Sequence, residues 1–219
     1  KGMMLALNNI GVAYLNNELL NTALNYFLQS LKIIEETKDY SAASNLYTNC
    51  GMIYRRTGDL EKSKEFFLKA GYHAATQKNP EMQIVANSNL STAYRLLNKI
   101  DSAAIYLDFA GRHLHNKISD NTQFRYYLTR ALLLSAQGHH EAALKDFIAM
   151  QPLVTVLNDR ITLLINIAEE YHKLENSKKS QEYFQRAFSL SLENKLYNNL
   201  EYVCLSLANI HEQQGDLKN

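Results

Sequence analysis

Four asparagines have side chains suited to holding another molecule, namely Asn9, Asn49, Asn89 and Asn166. The first three are equally spaced along the chain. An asparagine amide offers both a hydrogen-bond donor and an acceptor, so it can pair with any peptide backbone whatever the sequence. Packed helices lie about 8–10 Å apart and an extended chain advances about 3.3 Å per residue, so one asparagine per helix would meet about every third peptide residue. We predict such a binding column. The alternative is that these asparagines only pack between helices.

Three arginines form a second group with binding chemistry. Arg55 and Arg56 are adjacent, and Arg95 follows Arg55 at the same spacing that separates Asn49 from Asn89. The planar guanidinium fork suits paired hydrogen bonds to a carboxylate, so these residues are predicted to hold an acidic side chain or a chain-terminal carboxylate. The alternative is that the arginines end helices, where the helix dipole favours a cation by about 0.3–1 kcal/mol.

The other residue types that could do chemistry are not arranged for it. His113 and His115 are two positions apart and so do not share a helix face, and His211 lacks the second histidine of the zinc protease motif. No glycine-rich phosphate loop or nucleophile motif occurs. We therefore predict no enzyme activity, no metal site and no cofactor. Cys50 and Cys204 fall on core-type helix positions, and both are predicted to be buried and unreactive.

The composition indicates a helical chain without features of a nucleic-acid or membrane protein. Only 2 prolines and 8 glycines occur among 219 residues, which favours helices over an all-β fold. The formal net charge is +1, whereas a nucleic-acid binder normally shows a basic excess. No apolar run approaches the roughly 18–20 residues that cross a bilayer, and no signal peptide opens the chain. We therefore expect a cytoplasmic protein.

The elements that position these side chains repeat at a fixed period. Residues 11–14 (Gly-Val-Ala-Tyr), 51–54 (Gly-Met-Ile-Tyr) and 91–94 (Ser-Thr-Ala-Tyr) are successive copies of one segment. Each is followed by a turn segment, then by a bulky pair and a small residue. Apolar residues at three- and four-residue spacing give each half one apolar helix face. Because one helix pair cannot bury that face alone, neighbouring pairs must stack.

This pattern resembles the tetratricopeptide repeat, whose first helix is marked by a large residue, leucine, glycine and tyrosine, and whose second is marked by alanine, an aromatic residue and alanine. The second copy carries Tyr47, Gly51, Tyr54, Phe67 and Ala70 at such positions. The resemblance implies an all-α fold, a right-handed α-α superhelix of five helix pairs plus an incomplete sixth, in a single array over residues 1–219. The repeats are predicted at about residues 4–37, 44–77, 84–117, 124–157, 161–194 and 201–219.

The fourth repeat matches the pattern least well. Arg130 replaces the leucine, Leu134 replaces the tyrosine, and Pro152 falls inside the expected second helix. Proline removes a backbone hydrogen bond and clashes with the preceding turn, so we predict that this helix kinks or ends near Met150. The sixth repeat lacks its second helix, so we expect its apolar face, including Leu207, to be covered by another copy of the chain.

The 40-residue form is similar to the repeats of bacterial peptide-sensing regulators and of some eukaryotic scaffold proteins. Peptide-binding members of this group carry a comparable asparagine ladder. The resemblance implies a scaffold that holds a protein or an extended peptide on the concave face lined by the first helices. The alternative is a sensory or regulatory domain of a larger bacterial signalling or transcription-regulatory protein, with its output domain beyond Asn219.

Overall fold

The computed structural model describes residues 2–196 and 200–213, and none of these residues is in a β-strand. The helices are α1 (Gly2–Asn16), α2 (Leu20–Thr37), α3 (Ala43–Arg56), α4 (Leu60–Thr76), α5 (Pro80–Leu96), α6 (Ile100–Gly111), α7 (Asp120–Ala136), α8 (His140–Met150), α9 (Leu157–Lys173), α10 (Ser177–Glu193) and α11 (Leu200–Gln213). Two short 3-10 segments are Tyr40–Ala42 and Gln151–Leu153. The predicted all-α class is confirmed.

The chain divides into two compact units, residues 1–129 (unit 1) and residues 130–219 (unit 2), with the boundary inside α7. In unit 1 each helix from α1 to α6 packs against the next, and α3 also contacts α5. In unit 2 the same consecutive packing joins α8 to α9, α9 to α10 and α10 to α11. We call the odd-numbered helices first helices and the even-numbered ones second helices. Short turns join each first helix to its second helix, so each pair is an antiparallel hairpin.

Small residues on the first helices let large rings of the second helices approach closely. Phe27 and Phe67 are fully buried. A methyl group added at Gly51 would lie 2.6 Å from a ring carbon of Phe67, and Gly11 stands in the same relation to Phe27. Beside this contact, the hydroxyl of Ser63 donates to the carbonyl of Gly51 at 2.9 Å. The distance between the two helices of a pair therefore requires a small residue at these positions.

The turn inside each helix pair has one residue in the left-handed region of backbone conformation. The residues and their φ angles are Glu18 (60°), Gly58 (84°) and Asn98 (57°) in unit 1, and Gly138 (81°) and Glu175 (58°) in unit 2. An L-amino acid with a side chain adopts this conformation at a cost of about 1–2 kcal/mol, whereas glycine does not incur it. The turn geometry therefore recurs along the chain although the residue type does not.

We expect Gly58→Ala to lower the free energy of unfolding of unit 1 by about 1 kcal/mol. A methyl group at Gly58 would meet no atom within 4 Å, so the loss comes from backbone strain alone. Gly71→Ala in the middle of α4 is the control, because its methyl would make only an ordinary contact, 3.8 Å from Ala86 Cβ. That substitution should raise stability by about 0.5–1 kcal/mol through helix propensity. Urea unfolding followed by circular dichroism measures both changes, and effects of the same sign would contradict this account.

Stacked or tilted aromatic rings close the turn end of most helix pairs. The ring centroids are 5.4 Å apart for Tyr14 and Tyr26, 5.1 Å for Tyr54 and Phe66, 5.1 Å for Tyr94 and Tyr106, and 5.6 Å for Tyr171 and Tyr183. Such ring pairs contribute about 0.5–1.5 kcal/mol beyond the apolar area that they bury. The tyrosines of the repeat are therefore packing residues that join first and second helices.

The fourth helix pair has an ion pair in place of this ring contact. Leu134 and Asp146 occupy the two aromatic positions of the repeat. Arg130 donates twice to the Asp146 carboxylate, from Nε to Oδ2 at 2.7 Å and from Nη2 to Oδ1 at 2.6 Å. The Asp146 side chain is only 13% exposed. The arginine that replaces the repeat leucine is thus matched by an acid that replaces an aromatic residue.

The second helix of this pair ends where the proline predicts. The helix α8 ends at Met150, and Gln151–Leu153 continue as one 3-10 turn that contains Pro152. Proline has no N–H to donate to the preceding turn, so the α-helical hydrogen bonds cannot continue through it. The predicted end near Met150 is confirmed.

Candidate functional site

The asparagines of unit 1 lie on three successive first helices. Asn9 is exposed on α1, Asn49 is half-buried on α3, and Asn89 is 8% exposed on α5. The amide of Asn8 donates to Asn9 Oδ1 at 3.4 Å. Within the described ranges, no residue forms a hydrogen bond with the side chain of Asn49 or Asn89. Their amides are therefore available to a ligand, although Asn89 is accessible over only a small area.

Asn166 lies in unit 2, half-buried on α9 between the buried residues Ile165 and Ile167. The four asparagines are therefore divided between the units, three in unit 1 and one in unit 2. A ligand-binding role for all four remains a prediction.

The three predicted arginines differ in their surroundings. Arg55 and Arg95 are half-buried near the ends of α3 and α5, whereas Arg56 is exposed as the last residue of α3. The Nε atom of Arg95 is buried and has no hydrogen-bond partner. Burial lowers the pKa of both half-buried guanidinium groups, and the nearby charges of Arg125, Arg56 and Arg95 lower the pKa of Arg55 further. Like charges therefore crowd around Arg55.

A fourth arginine, Arg125, belongs with the three predicted ones, because its charge contributes to lowering the pKa of Arg55. It was not predicted from the sequence. It is exposed on α7, where its Nε donates to Asn121 Oδ1 at 3.0 Å. One helical turn later, Thr129 occupies the asparagine position of the fourth repeat, and residues four apart share a helix face. The repeat register alone could therefore have placed Arg125 on the face of the asparagine column.

The first helices of unit 1 contain almost no acidic residues. Neither α1 nor α3 has one. The helix α5 has only Glu81, which accepts hydrogen bonds from the hydroxyls of Thr122 and Ser119, and the part of α7 in unit 1 has only Asp120, its first residue. The ion pairs found among the described residues of unit 1 lie on the second helices or directly beside them, namely Lys32–Glu36, Asp59–Lys62, Glu61–Lys64, Glu65–Lys69, Glu61–Lys99 and Asp108–Arg112. Charge is therefore unevenly distributed in unit 1. The first helices carry arginines without ion-pair partners, whereas the second helices carry acidic and basic side chains that form ion pairs.

A column of unpaired polar atoms lies one residue before the asparagines. Asn8, Thr48 and Ser88 occupy the same position in the first three repeats, and each has a buried side-chain oxygen without a hydrogen-bond partner. An unsatisfied buried polar group costs about 1–3 kcal/mol. The first-helix layer of unit 1 is therefore polar inside as well as at its surface, which the repeat pattern does not predict.

Unit 2 contains a buried carboxylate with three hydrogen-bond donors. The side chain of Glu170 is 2% exposed and accepts from Ser135 Oγ at 2.6 Å, from His140 Nδ1 at 2.9 Å and from Lys173 Nζ at 2.7 Å. Lys173 also donates to Ser135 Oγ at 2.8 Å, which closes the network. Burial raises the pKa of Glu170, but these hydrogen bonds outweigh it and hold the pKa below its ordinary value. The network joins α7, α8 and α9 and acts as a structural element.

The two cysteines differ. Cys50 is buried as predicted, and burial raises the pKa of its thiol to about 12. The prediction that Cys204 is buried is wrong, because it is exposed on α11, and no described helix follows α11 to cover that side. Tyr202 and Leu205 on the same helix are 48% and 60% exposed. Self-association through this repeat remains a prediction, which light scattering over a range of concentrations can test.

Neither a metal-binding cluster nor a membrane-spanning helix occurs among the described residues. No group of three or more histidine, cysteine, aspartate or glutamate side chains in that part of the chain is placed to hold a metal ion. No helix among the same residues is both long enough and apolar enough to cross a membrane.

Comparison with known families agrees with the helix-pair geometry. One tetratricopeptide-repeat model matches residues 2–70, and a second matches residues 161–194. These two segments are tetratricopeptide repeats. The predicted class of α-α superhelix is therefore confirmed. No curated protein matches the chain.

Solved tetratricopeptide-repeat structures share this fold at low sequence identity. The apo form of the quorum sensor NprR from B. thuringiensis is 14% identical with a TM-score of 0.73, and the match covers 92% of this chain and 57% of that one. NprR in complex with its cognate peptide NprX is 13% identical with a TM-score of 0.77, covering 99% and 63%. A signal transduction ATPase with a tetratricopeptide repeat sensor, from Pyrococcus horikoshii, is 15% identical with a TM-score of 0.77, covering 97% and 32%. This repeat protein therefore spans less than two thirds of each of these chains.

Proposed function

We propose that this chain is a scaffold that holds an extended peptide or partner segment along the first helices of unit 1. The observation that carries the proposal is the pair of unpartnered amides on adjacent first helices, Asn49 on α3 and Asn89 on α5. NprR, which has the same fold, is known in complex with a peptide, and this likeness supports the proposal.

The size of these interactions limits what the asparagines do alone. If Asn49 and Asn89 each form two hydrogen bonds at about 0.5–1.5 kcal/mol net, they contribute about 2–6 kcal/mol together. Association costs about 4–15 kcal/mol in lost freedom of motion. The asparagines therefore fix the register of a bound backbone, and further contacts supply the remaining affinity.

A randomised library of extended peptides tests the proposal. We expect peptides to bind the wild-type chain and to bind Asn49→Ala/Asn89→Ala at least about tenfold more weakly, since up to four hydrogen bonds are lost. Asn21→Ala/Asn25→Ala is the matched control, because it removes two exposed asparagines from the second helix α2. Equal binding to all three proteins, or no binding to any, would exclude this site, provided that their unfolding curves agree.

A second candidate is the sensory part of a larger regulatory protein. It is favoured because parts of NprR and of the Pyrococcus horikoshii signalling ATPase match nearly all of this chain. Both candidates use the same first-helix site and differ in what it controls. The full reading frame of the gene distinguishes them, since an output domain in that frame would support the sensor and its absence would favour the free-standing scaffold.

A further inference from the structure

A cavity of about 570 Å³ opens between α9 and α11 in unit 2. The ring of Phe184 on α10, which is only 3% exposed, forms its floor, and Leu205 and Ile210 on α11 form part of its walls. Ligand pockets in proteins are typically of this size, about 300–1,000 Å³, and are mostly apolar with a few polar groups. The cavity therefore has the size and the lining of a binding site.

The equivalent place in unit 1 is closed by a methionine. Met52 on α3 is half-buried and packs against the core cluster that contains Phe67. Glu169 on α9 follows Met52 at the same interval that separates Phe184 from Phe67, so a carboxylate stands where unit 1 has the methionine. The hydroxyl of Tyr202 on α11 donates a hydrogen bond to this carboxylate. Glu169 is therefore bonded across to α11, and the space over Phe184 stays open.

The Glu169 carboxylate has no counter-charge among the described residues. Its one hydrogen bond there comes from Tyr202, a neutral donor, and it forms no ion pair. Lys173 lines the same cavity, but its ammonium is held by Glu170 Oε1 at 2.7 Å. His172 also lines the cavity and forms no hydrogen bond with Glu169. The rim of the cavity therefore has an acidic group, without an opposite charge, beside an apolar floor.

We propose that this cavity binds a partner segment in which a lysine or arginine stands beside a large apolar side chain. The apolar side chain lies against Phe184 and Ile210, and the cation pairs with the Glu169 oxygen that Tyr202 leaves free. Lysine and arginine cover apolar surface with their methylene stems while the charged head stays at a polar rim, and an arginine can also lie over the Tyr202 ring. The site lies in unit 2 and does not depend on the proposed function, which concerns unit 1.

Peptides with a single charge test this inference. The probes are hexapeptides with acetylated and amidated ends, a central phenylalanine–arginine pair and random uncharged flanks, selected on the wild-type chain. Each selected peptide is synthesised again with glutamine in place of the arginine. We expect the wild type to bind the arginine form at least about tenfold more tightly than the glutamine form. Glu169→Gln should remove this preference, because it keeps the shape of the rim and removes its charge.

A second variant tests the cavity itself. Glu169→Met introduces the residue that closes the equivalent space in unit 1, and it should abolish binding of both peptide forms while the chain stays folded. The matched control is Glu182→Gln, which removes an exposed acid from α10 outside the cavity and should keep both affinity and preference. Asn49→Ala/Asn89→Ala should also bind as the wild type does, because both substitutions lie in unit 1.

Four results would overturn the inference. They are equal binding of the two peptide forms to the wild type, a preference for arginine that persists in Glu169→Gln, binding that survives in Glu169→Met, and selection of no peptide at all. Binding that disappears in Asn49→Ala/Asn89→Ala would also overturn it and would assign the peptide to the site proposed in unit 1. The two proposals can therefore fail separately.

Discussion

Replacing Glu170 by alanine is expected to lower the free energy of unfolding of unit 2 by about 3 kcal/mol. The carboxylate is 2% exposed and accepts hydrogen bonds from three side chains. Without it, Lys173, His140 and Ser135 lose a shared acceptor, and a cavity remains where α7, α8 and α9 meet. Removing one partner of a buried charged network costs more than the net value of its bonds, because the remaining groups stay desolvated. Urea unfolding monitored by circular dichroism measures the loss.

Glu182→Ala is the control for this substitution, because Glu182 is exposed on α10 in the same unit. Its loss should change stability by no more than about 0.5 kcal/mol. Similar effects of the two substitutions would show that the Glu170 network does not stabilise the unit.

The same carboxylate makes the stability of unit 2 depend on pH. The pKa of Glu170 is lower in the folded chain than its ordinary value, so folding favours the ionised form. This contribution is present above the unfolded pKa of about 4.3 and is lost as pH falls through the folded pKa. On acidification below about pH 5, the wild type should therefore lose more stability than Glu170→Gln, which has no carboxylate to protonate. Parallel pH profiles for the two proteins would contradict this assignment.

The second large effect is expected at the ion pair of the fourth helix pair. Asp146→Ala should lower the free energy of unfolding of unit 2 by about 2 kcal/mol. The Asp146 side chain is 13% exposed and its loss leaves Arg130 without two short hydrogen bonds, while the 39% exposure of Arg130 lets water recover part of the energy. Chemical denaturation of the single variant measures this loss.

The double variant Arg130→Leu/Asp146→Phe provides the matched comparison. It restores the residue types that other repeats have at these positions, and replacing a partly buried ion pair by apolar residues is often neutral or stabilising. We expect its stability to lie within about 1 kcal/mol of the wild type. If the double variant were as unstable as Asp146→Ala, the Arg130–Asp146 ion pair could not be replaced by the apolar residues that other repeats have at these positions.

The repeat pattern predicted the helix pairs because the same physical requirement recurs in successive repeats. Gly51 must be small beside Phe67, and Tyr54 lies against Phe66, so residue types at fixed spacing carry the fold. Pro152 marked the end of α8 for an equally local reason, because it has no N–H to donate.

The groups that the sequence did not identify depend on contacts between repeats. Glu170 occupies a position that is apolar and buried as Ile53 and Ala93 in other repeats, and its three donors come from three different helices. The sequence alone shows that Glu170 is a charged residue at a position that is apolar in other repeats. It does not show which side chains donate hydrogen bonds to that carboxylate. The crowding of Arg125 against Arg55 likewise depends on how α3 and α7 are placed, which no single repeat specifies.

Because Cys50 is buried and Cys204 is exposed, the rate of thiol labelling can measure how often α3 opens. Thiol-specific reagents attack the thiolate, so Cys50, which is buried and has a pKa of about 12, can be labelled only when α3 opens. Cys204 is accessible in the folded chain and reports the activity of the reagent in the same tube. Mass spectrometry can count both labels on one molecule. The opening rate of the asparagine-bearing unit can thus be timed, with and without a peptide, in the unmodified protein.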